Sequence, residues 1–522
     1  MLEYREKFMN GSHKIFPHIS LMIIVIFSYA YFAISSMNVK SFSKIPDGHY
    51  QYLTESFLKG HTYFIKAPPK ALLALKNPYD YQQNYKILLP DGNPLHARFH
   101  DVSLYANKFY LYFGPLPVIT FYIPCKLLTG FYPPDCFAVF LFLSIGFIIC
   151  YGLLNKIQQE YFPNVKPEMM FFCGLVLGFA NNAPFLLLRP DVYEVAIASA
   201  FCFLSAAVFF LYRIFYYRFK FIDILLFSTM LGLSIAGRPH FALIAMVVLP
   251  FIIFYILTQS QFNFWKLFAF SPIAIIIAML LAYNQIRFHS MFEFGQAYQL
   301  IFDTHGLSAQ LKYFDFPNMA FNFKEGFYNY FLRPFAVFNS FPYVFFPDLL
   351  IERVAHDNIY EGSFGLFKTS PFIILILLLP LQNILYYKKI NYQPLFSFIT
   401  YLMLMSFIII LFLISLNSTT QRYLSDFSTY LIMLAILSVW ISGNHFKDNL
   451  LSFIKVFFII SGIFSIYVGI ILAKSFIFVG MYFRNVDLSF INYSIFFSSI
   501  MIQAFFFFWI MKRDRRYGHF KR

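Results

Sequence analysis

The chain has 522 residues, of which 59% are hydrophobic, 22% aromatic and 12% charged, with a net charge of +15. Soluble domains run about 45–50% apolar and about 25% charged, so this composition excludes a soluble enzyme, a disordered tail and a nucleic-acid binder. The basic residues sit at the ends of apolar runs, where they serve as orientation signals, so no nucleic-acid partner is expected.

In chain order, a cytoplasmic tail at 1–17 carries Arg5, Lys7 and Lys14 and leads into a first apolar run at 18–36. That run has no small-residue cleavage site and reads as a signal anchor. A long loop follows at 37–132. Its last part, 113–129, holds Pro115, Pro117 and Pro124. Each proline removes a backbone donor, which suits a helix at the membrane surface or partly re-entrant better than one facing lipid. Runs two to seven fill 133–284, at 133–154, 168–187, 192–212, 220–236, 239–258 and 265–284. A second long loop covers 285–368. Runs eight to twelve lie within 369–511, at 369–387, 394–415, 424–442, 451–473 and 489–511, and 512–522 is a basic tail.

Twelve spans put both termini on one side. That side collects Lys156, Lys166, Arg213, Arg218, Lys220, Lys266, Lys388, Lys389 and Lys447. The opposite short connections carry only Arg189, Arg238, Arg422, Lys474 and Arg484. The positive-inside rule then places both termini in the cytoplasm and both long loops outside. The expected fold class is an all-α polytopic membrane protein with about 12 transmembrane helices and two long structured extracytoplasmic loops. No internal repeat or inverted hydropathy symmetry is present, which weakens a transporter reading. Of five Cys, three (Cys150, Cys173 and Cys202) lie inside apolar runs, so there is no disulfide framework.

The candidate chemistry sits in the loops and at the span ends. In SKIPDGHYQYLTESFLKGHTYF, Asp47 lies just past the first span, and Tyr50 to Leu58 has helical spacing. Asp47 is either the N-cap of that helix or a general base at the lipid headgroup level. Arg98, His100, Asp101 and Lys108 form a phosphate-binding set or a solvated turn with a weak ion pair. In RPDVYE, Arg189 and Asp191 line a cavity or pair across a turn. Arg238 is a phosphate ligand or a snorkelling cation, and Arg422, Tyr423 and Asp426 offer the same choice. In YNQIRFHSMFEFGQAYQL, Arg287, His289, Glu293 and Tyr298 suit sugar recognition or loop packing. His49, His61, His96 and His100 share the first loop with Asp47, Asp91 and Asp101 at no zinc spacing. A divalent ion bridging Asp47 and a lipid phosphate stays open, and no other cofactor is indicated. There is no P-loop, GxGxxG or GxSxG motif.

The strings DVSLYANKFYLYFGPLP, AGRPHFAL, YNQIRFHSMFEFGQAYQL and QRYLSDF, taken in this order, carry a resemblance. So does an acidic residue opening a long outer loop after one span. The chain resembles the GT-C membrane glycosyltransferases, which include protein O-mannosyltransferases and the aminoarabinose transferase of lipid A. It is most similar to bacterial members of that superfamily. The matches lie at 47–130, 232–245, 283–300 and 421–427. Mannosyltransferases have adjacent Asp-Glu where this chain has Asp47-Gly48, with the next carboxylate at Glu55.

The resemblance implies an inverting glycosyltransferase in a bacterial inner membrane. It would move a sugar from a polyprenyl-phosphate donor to an extracytoplasmic acceptor in cell-envelope glycan or glycoprotein synthesis. Its partners would be that donor, that acceptor and the lipid bilayer. Asp47 is the implied base, with Asp101 as its rival. Arg238, Arg422, Arg287 and Lys108 would hold the donor phosphate, and His49, His100, Tyr110, Glu293 and Tyr298 would contact sugar or acceptor. The competing classes are a flippase or transporter of lipid-linked saccharides, and an oligosaccharide polymerase or ligase using Arg287, His289 and His305.

Overall fold

The structure, a computed structural model, describes residues 2–36, 40–95, 99–258, 264–300, 319–337, 344–345, 352–354, 358–360, 363–386, 392–416, 418–443 and 448–482. His96, Arg98, His305, Lys388, Lys389, Lys447, Arg484, the expected span at 489–511 and the tail at 512–522 lie outside the described residues.

The chain is mostly helical. Among the described residues, seven helices are long and apolar enough to cross a membrane: Phe16–Ile34, Asp135–Tyr161, Val192–Tyr216, Pro239–Leu257, Trp265–Phe288, Gln393–Ser415 and Asn449–Ala473. Shorter apolar helices at Pro167–Phe179, Phe221–Gly237, Pro371–Leu385 and Ser428–Gly443 occupy four more of the expected runs. The expected span at 168–187 is broken. Asn181 accepts the Ala183 N–H on Oδ1 and donates from Nδ2 to the Leu177 carbonyl. The local amide thus takes over backbone bonds that a continuous helix would make, and a second short helix, Ala183–Leu188, starts beyond it.

The helix Val192–Tyr216 opens with a capping box between Asp191 and Glu194. It packs against Asp135–Tyr161 and Phe221–Gly237, and the last of these packs against Ser271–Phe288. Ser428–Gly443 spans 16 residues, about 24 Å at 1.5 Å per residue, short for a hydrocarbon core of about 30 Å. It is buried from Ser428 to Ser442, so protein rather than lipid surrounds it and bilayer thickness does not set its length. By contrast, Met246, Phe254, Met279 and Ile286 point outward from the helices that contain them, giving the apolar face a bilayer requires.

The fold is not purely α. Within the first loop, Val102–Tyr105 and Lys108–Leu111 form an antiparallel hairpin with Val102 opposite Leu111 and Tyr105 opposite Lys108. Ala106 and Asn107 turn it with φ of 47° and 58°, the two left-handed residues of a type I′ turn. Smaller sheets pair Ala336–Val337 with Val344–Phe345, and set Asn358–Tyr360 between Glu352–Val354 and Ser418–Thr419. The proline-rich stretch forms a π turn at Val118–Tyr122 followed by the helix Ile123–Thr129. The wider turn accommodates Pro124, which cannot donate to the preceding ladder.

Candidate functional site

The first loop meets several helix ends at one end of the bundle. The helix His49–Leu58 was expected, but Asp47 does not cap it. Gly48 is the N-cap, in extended conformation. The Asp47 N–H instead donates to Gln51 Oε1 at 2.7 Å, and Gln51 Nε2 donates to the Pro133 carbonyl at 3.0 Å. That bridge ties the start of the loop to the entry of Asp135–Tyr161. The Asp47 carboxylate is left half-exposed and paired with exposed Lys40 at 3.0 Å.

Beside it is a residue the sequence reading missed. Asp135 opens its helix and accepts a hydrogen bond from the Tyr122 hydroxyl. A side chain on Gly48 would place Cβ 3.6 Å from Asp135 Oδ2, so the loop backbone passes directly over this carboxylate. Asp47 and Asp191 both lie within electrostatic range of Asp135. His49 donates from Nε2 to the His100 carbonyl at 2.8 Å. Burial pushes the His49 imidazole down to about 4, against the smaller upward pull of that carbonyl.

Tyr193 joins the next two segments. Its hydroxyl donates to the carboxylate of Asp101, and its ring lies 4.1 Å below the Arg422 guanidinium. Asp101 is buried, takes a left-handed φ of 60° and donates its N–H to the Leu300 carbonyl at 3.0 Å. His100 Nε2 stands 3.5 Å from its carboxylate. Glu194, on the same first turn as Tyr193, has Arg189 and Arg422 within electrostatic range.

Arg238 ends the helix Phe221–Gly237, where Pro239 prevents its continuation. Its Nη2 pairs with Asp426 Oδ2 at 2.9 Å, and His240 Nε2 reaches the same oxygen at 3.1 Å. The guanidinium sits 5.0 Å from the Tyr423 ring centroid. Arg238 is therefore held by an interhelical ion pair rather than snorkelling. Tyr50, on the first-loop helix, lies within electrostatic range of both Arg238 and Asp135. Gly114 fixes the last approach: any Cβ there would collide with the carbonyl of Ala236, two residues before Arg238.

Other predicted residues stand apart from this cluster. Arg287 is buried and donates to the Leu111 carbonyl at 2.7 Å and to Asn284 Oδ1 at 2.6 Å, between the rings of Tyr283 and Phe288. It clamps the hairpin to the end of Ser271–Phe288. Glu293 Oε1 accepts the Gly295 N–H at 2.6 Å, shaping a turn. Tyr298 packs on Tyr105 and Phe288, and Tyr110 packs on Phe288. Lys108 is exposed, 4.0 Å from the Tyr63 ring centroid. His289 is exposed with φ of 55°. Glu55 pairs with Lys59 at 2.6 Å and accepts from Tyr132.

Among the described residues no three His, Cys, Asp or Glu side chains converge as metal ligands would. No family model matches the chain. No curated protein matches it, and no solved structure does.

Proposed function

We propose that the chain is an inverting glycosyltransferase of the GT-C kind, with about twelve spans and its loop cluster outside the cytoplasm. It transfers a sugar from a polyprenyl-phosphate carrier to an extracytoplasmic acceptor. The observation that supports this reading is the gathering, at one end of the helix bundle, of carboxylates from the first loop and two helix starts with arginines from two helix ends and a turn. Asp47 and Asp191 each lie within electrostatic range of Asp135, Tyr50 lies within range of both Asp135 and Arg238, and Tyr193 links Asp101 to Arg422.

In this reading Asp47 is the base. Its partner is an exposed lysine, a pairing worth about 0–1 kcal/mol, so an acceptor hydroxyl displaces it at small cost. Asp101, held by Tyr193, orients rather than accepts. The hydroxyl proton passes to Asp47, and the acceptor oxygen bonds to the anomeric carbon from the side opposite the phosphate. The carbon–oxygen bond to phosphate breaks, and its electron pair leaves with the phosphate. Arg238 and Arg422 stabilise the charge that develops there. The carrier tail lies between apolar helices, so the reacting carbon reaches the interface without leaving the membrane.

The test is a transfer assay in proteoliposomes, with labelled polyprenyl-phosphate sugars and cell-envelope extract as acceptor. Asp47→Asn is expected to lower transfer by about 10²–10⁴-fold with unchanged thermal stability. Full activity in that variant removes Asp47 from the base role. Intact donor crossing the bilayer without transfer would establish a carrier instead.

A further inference from the structure

The opposite end of the same helices holds a second assembly. Val192–Tyr216 has 25 residues, so its two ends stand about 37 Å apart. At the far end, three cations converge on one ring. Arg213 and Lys220 each lie 4.9 Å from the Tyr217 ring centroid, and Lys156 lies 5.7 Å from it. Arg213 is neutralised by buried Asp223 at 2.6 Å, and Lys156 by Glu160 at 3.4 Å. Arg218 and Lys220 are exposed and have no carboxylate partner among the described residues. Arg218 and Phe219 take φ of 54° and 61°. This tight left-handed turn follows Tyr217 directly, so exposed Arg218 is its neighbour in the chain and Lys220 comes back over its ring.

Orientation signals need only be present on one side; they need not converge. Here three cations converge on one ring with two carboxylates beside them, and exposed Arg218 adds a further charge, an excess that an anion offsets. The surroundings identify its source. Phe221 and Ile222 are exposed directly after Lys220, and Phe264, Trp265 and Phe268 are exposed where the helix Trp265–Phe288 begins. A soluble anion makes no use of such apolar surface. Acyl chains do, and an exposed Trp is typical of the headgroup level.

The geometry points to a binding site for the phosphate headgroup of an anionic phospholipid at the Tyr217 turn, on the side that the sequence assigns to the cytoplasm. It is independent of the glycosyl-transfer reading.

The experiment uses the full chain, delipidated in detergent and titrated separately with dioleoyl phosphatidylglycerol, dioleoyl phosphatidylcholine and inorganic phosphate. Retained lipid is counted by native mass spectrometry, and the apparent Tm is followed in parallel. Phosphatidylglycerol is expected to be retained and to raise Tm, while the other two have no effect. Arg218→Gln with Lys220→Gln breaks no ion pair. This double variant is expected to keep the lipid-free Tm and to weaken retention about fivefold for each cation removed. Lys76→Gln with Lys86→Gln, which removes the same charge from the first loop, should retain lipid like the wild type. Equal retention of the two phospholipids overturns the proposal, as does wild-type retention in the Arg218 and Lys220 variant. A Tm rise with inorganic phosphate alone would reassign the turn to a soluble anion.

Discussion

Arg238 and Arg287 both stand at the ends of apolar helices, and both have a tyrosine ring beside the guanidinium. Arg238 shares one oxygen of Asp426 with His240. Arg287 has both terminal nitrogens committed, one to the Leu111 carbonyl and one to Asn284. The first region keeps donors and carboxylates facing one another across segments that meet only in the folded state. The second uses the same residue types to fasten a hairpin. Residue type therefore does not separate a site from a clamp; the partners of each atom do.

Exchanging the two arginines tests that contrast. Arg287→Met is expected to cost about 2–4 kcal/mol, because two charge-assisted hydrogen bonds go and the Leu111 carbonyl is left buried. The expected readout is a fall of several degrees in apparent Tm, with kcat per folded molecule unchanged. A rise in donor KM without a change in Tm would move Arg287 into the site. Arg238→Ala would leave Asp426 with His240 alone, so Arg238→Lys is the cleaner change. It keeps the charge and loses the planar fork. The expected outcome is a donor KM about tenfold higher, roughly 1.4 kcal/mol, at constant Tm. An unchanged KM would reduce Arg238 to an interhelical tie.

The same contrast explains what the sequence made legible. Long apolar runs carry their own signal, and the expected runs at 239–258 and 394–415 appear as Pro239–Leu257 and Gln393–Ser415. The break at Asn181 was invisible because hydropathy averages over it, and only the side-chain bonds to Leu177 and Ala183 show it. The hairpin at 102–111 was missed because its left-handed turn is Ala-Asn, with no glycine to announce it. Asp47 stood out by position, but its cap role failed by one residue, a boundary that spacing alone does not fix. Asp135 read as the edge of a span. Its meaning comes from Gly48, far away in the chain, whose backbone crosses its carboxylate. Tyr193 lay inside a quoted motif, yet its two partners come from the first loop and from the 421–426 turn.

A third test uses pH to probe the contact between the helix His49–Leu58 and the His100 carbonyl. His49 is held neutral, its ordinary value near 6.5 pushed down to about 4. Between those values the unfolded chain binds a proton that the folded chain does not, so stability rises with pH across this window. The contribution is complete above about 6.5 and is lost as pH falls toward 4. The expected result is a fall in apparent Tm from pH 6.5 to 4 that is steeper in the wild type than in His49→Gln. Parallel curves would show that the His49–His100 contact does not carry this pH dependence.

The smallest expected effect is the most direct check on where the site ends. Lys108 was a candidate phosphate ligand on sequence grounds. In the structure it begins the second hairpin strand, exposed, with its ammonium 4.0 Å from the Tyr63 ring centroid. A cation–π contact at an exposed position is worth about 0.5–1 kcal/mol, and surface substitutions away from special features stay within about 0.5 kcal/mol. Lys108→Gln is therefore expected to lower Tm by a degree or two at most and to leave donor KM unchanged. The assay has to compare Lys108→Gln and Arg238→Lys in the same vesicles, since a shared electrostatic effect on donor approach would move both. If only Arg238→Lys shifts KM, the boundary falls between the helix ends and the hairpin. If both shift it equally, the hairpin carries part of the donor site, and the contrast between the two regions fails at the residue where it predicts nothing.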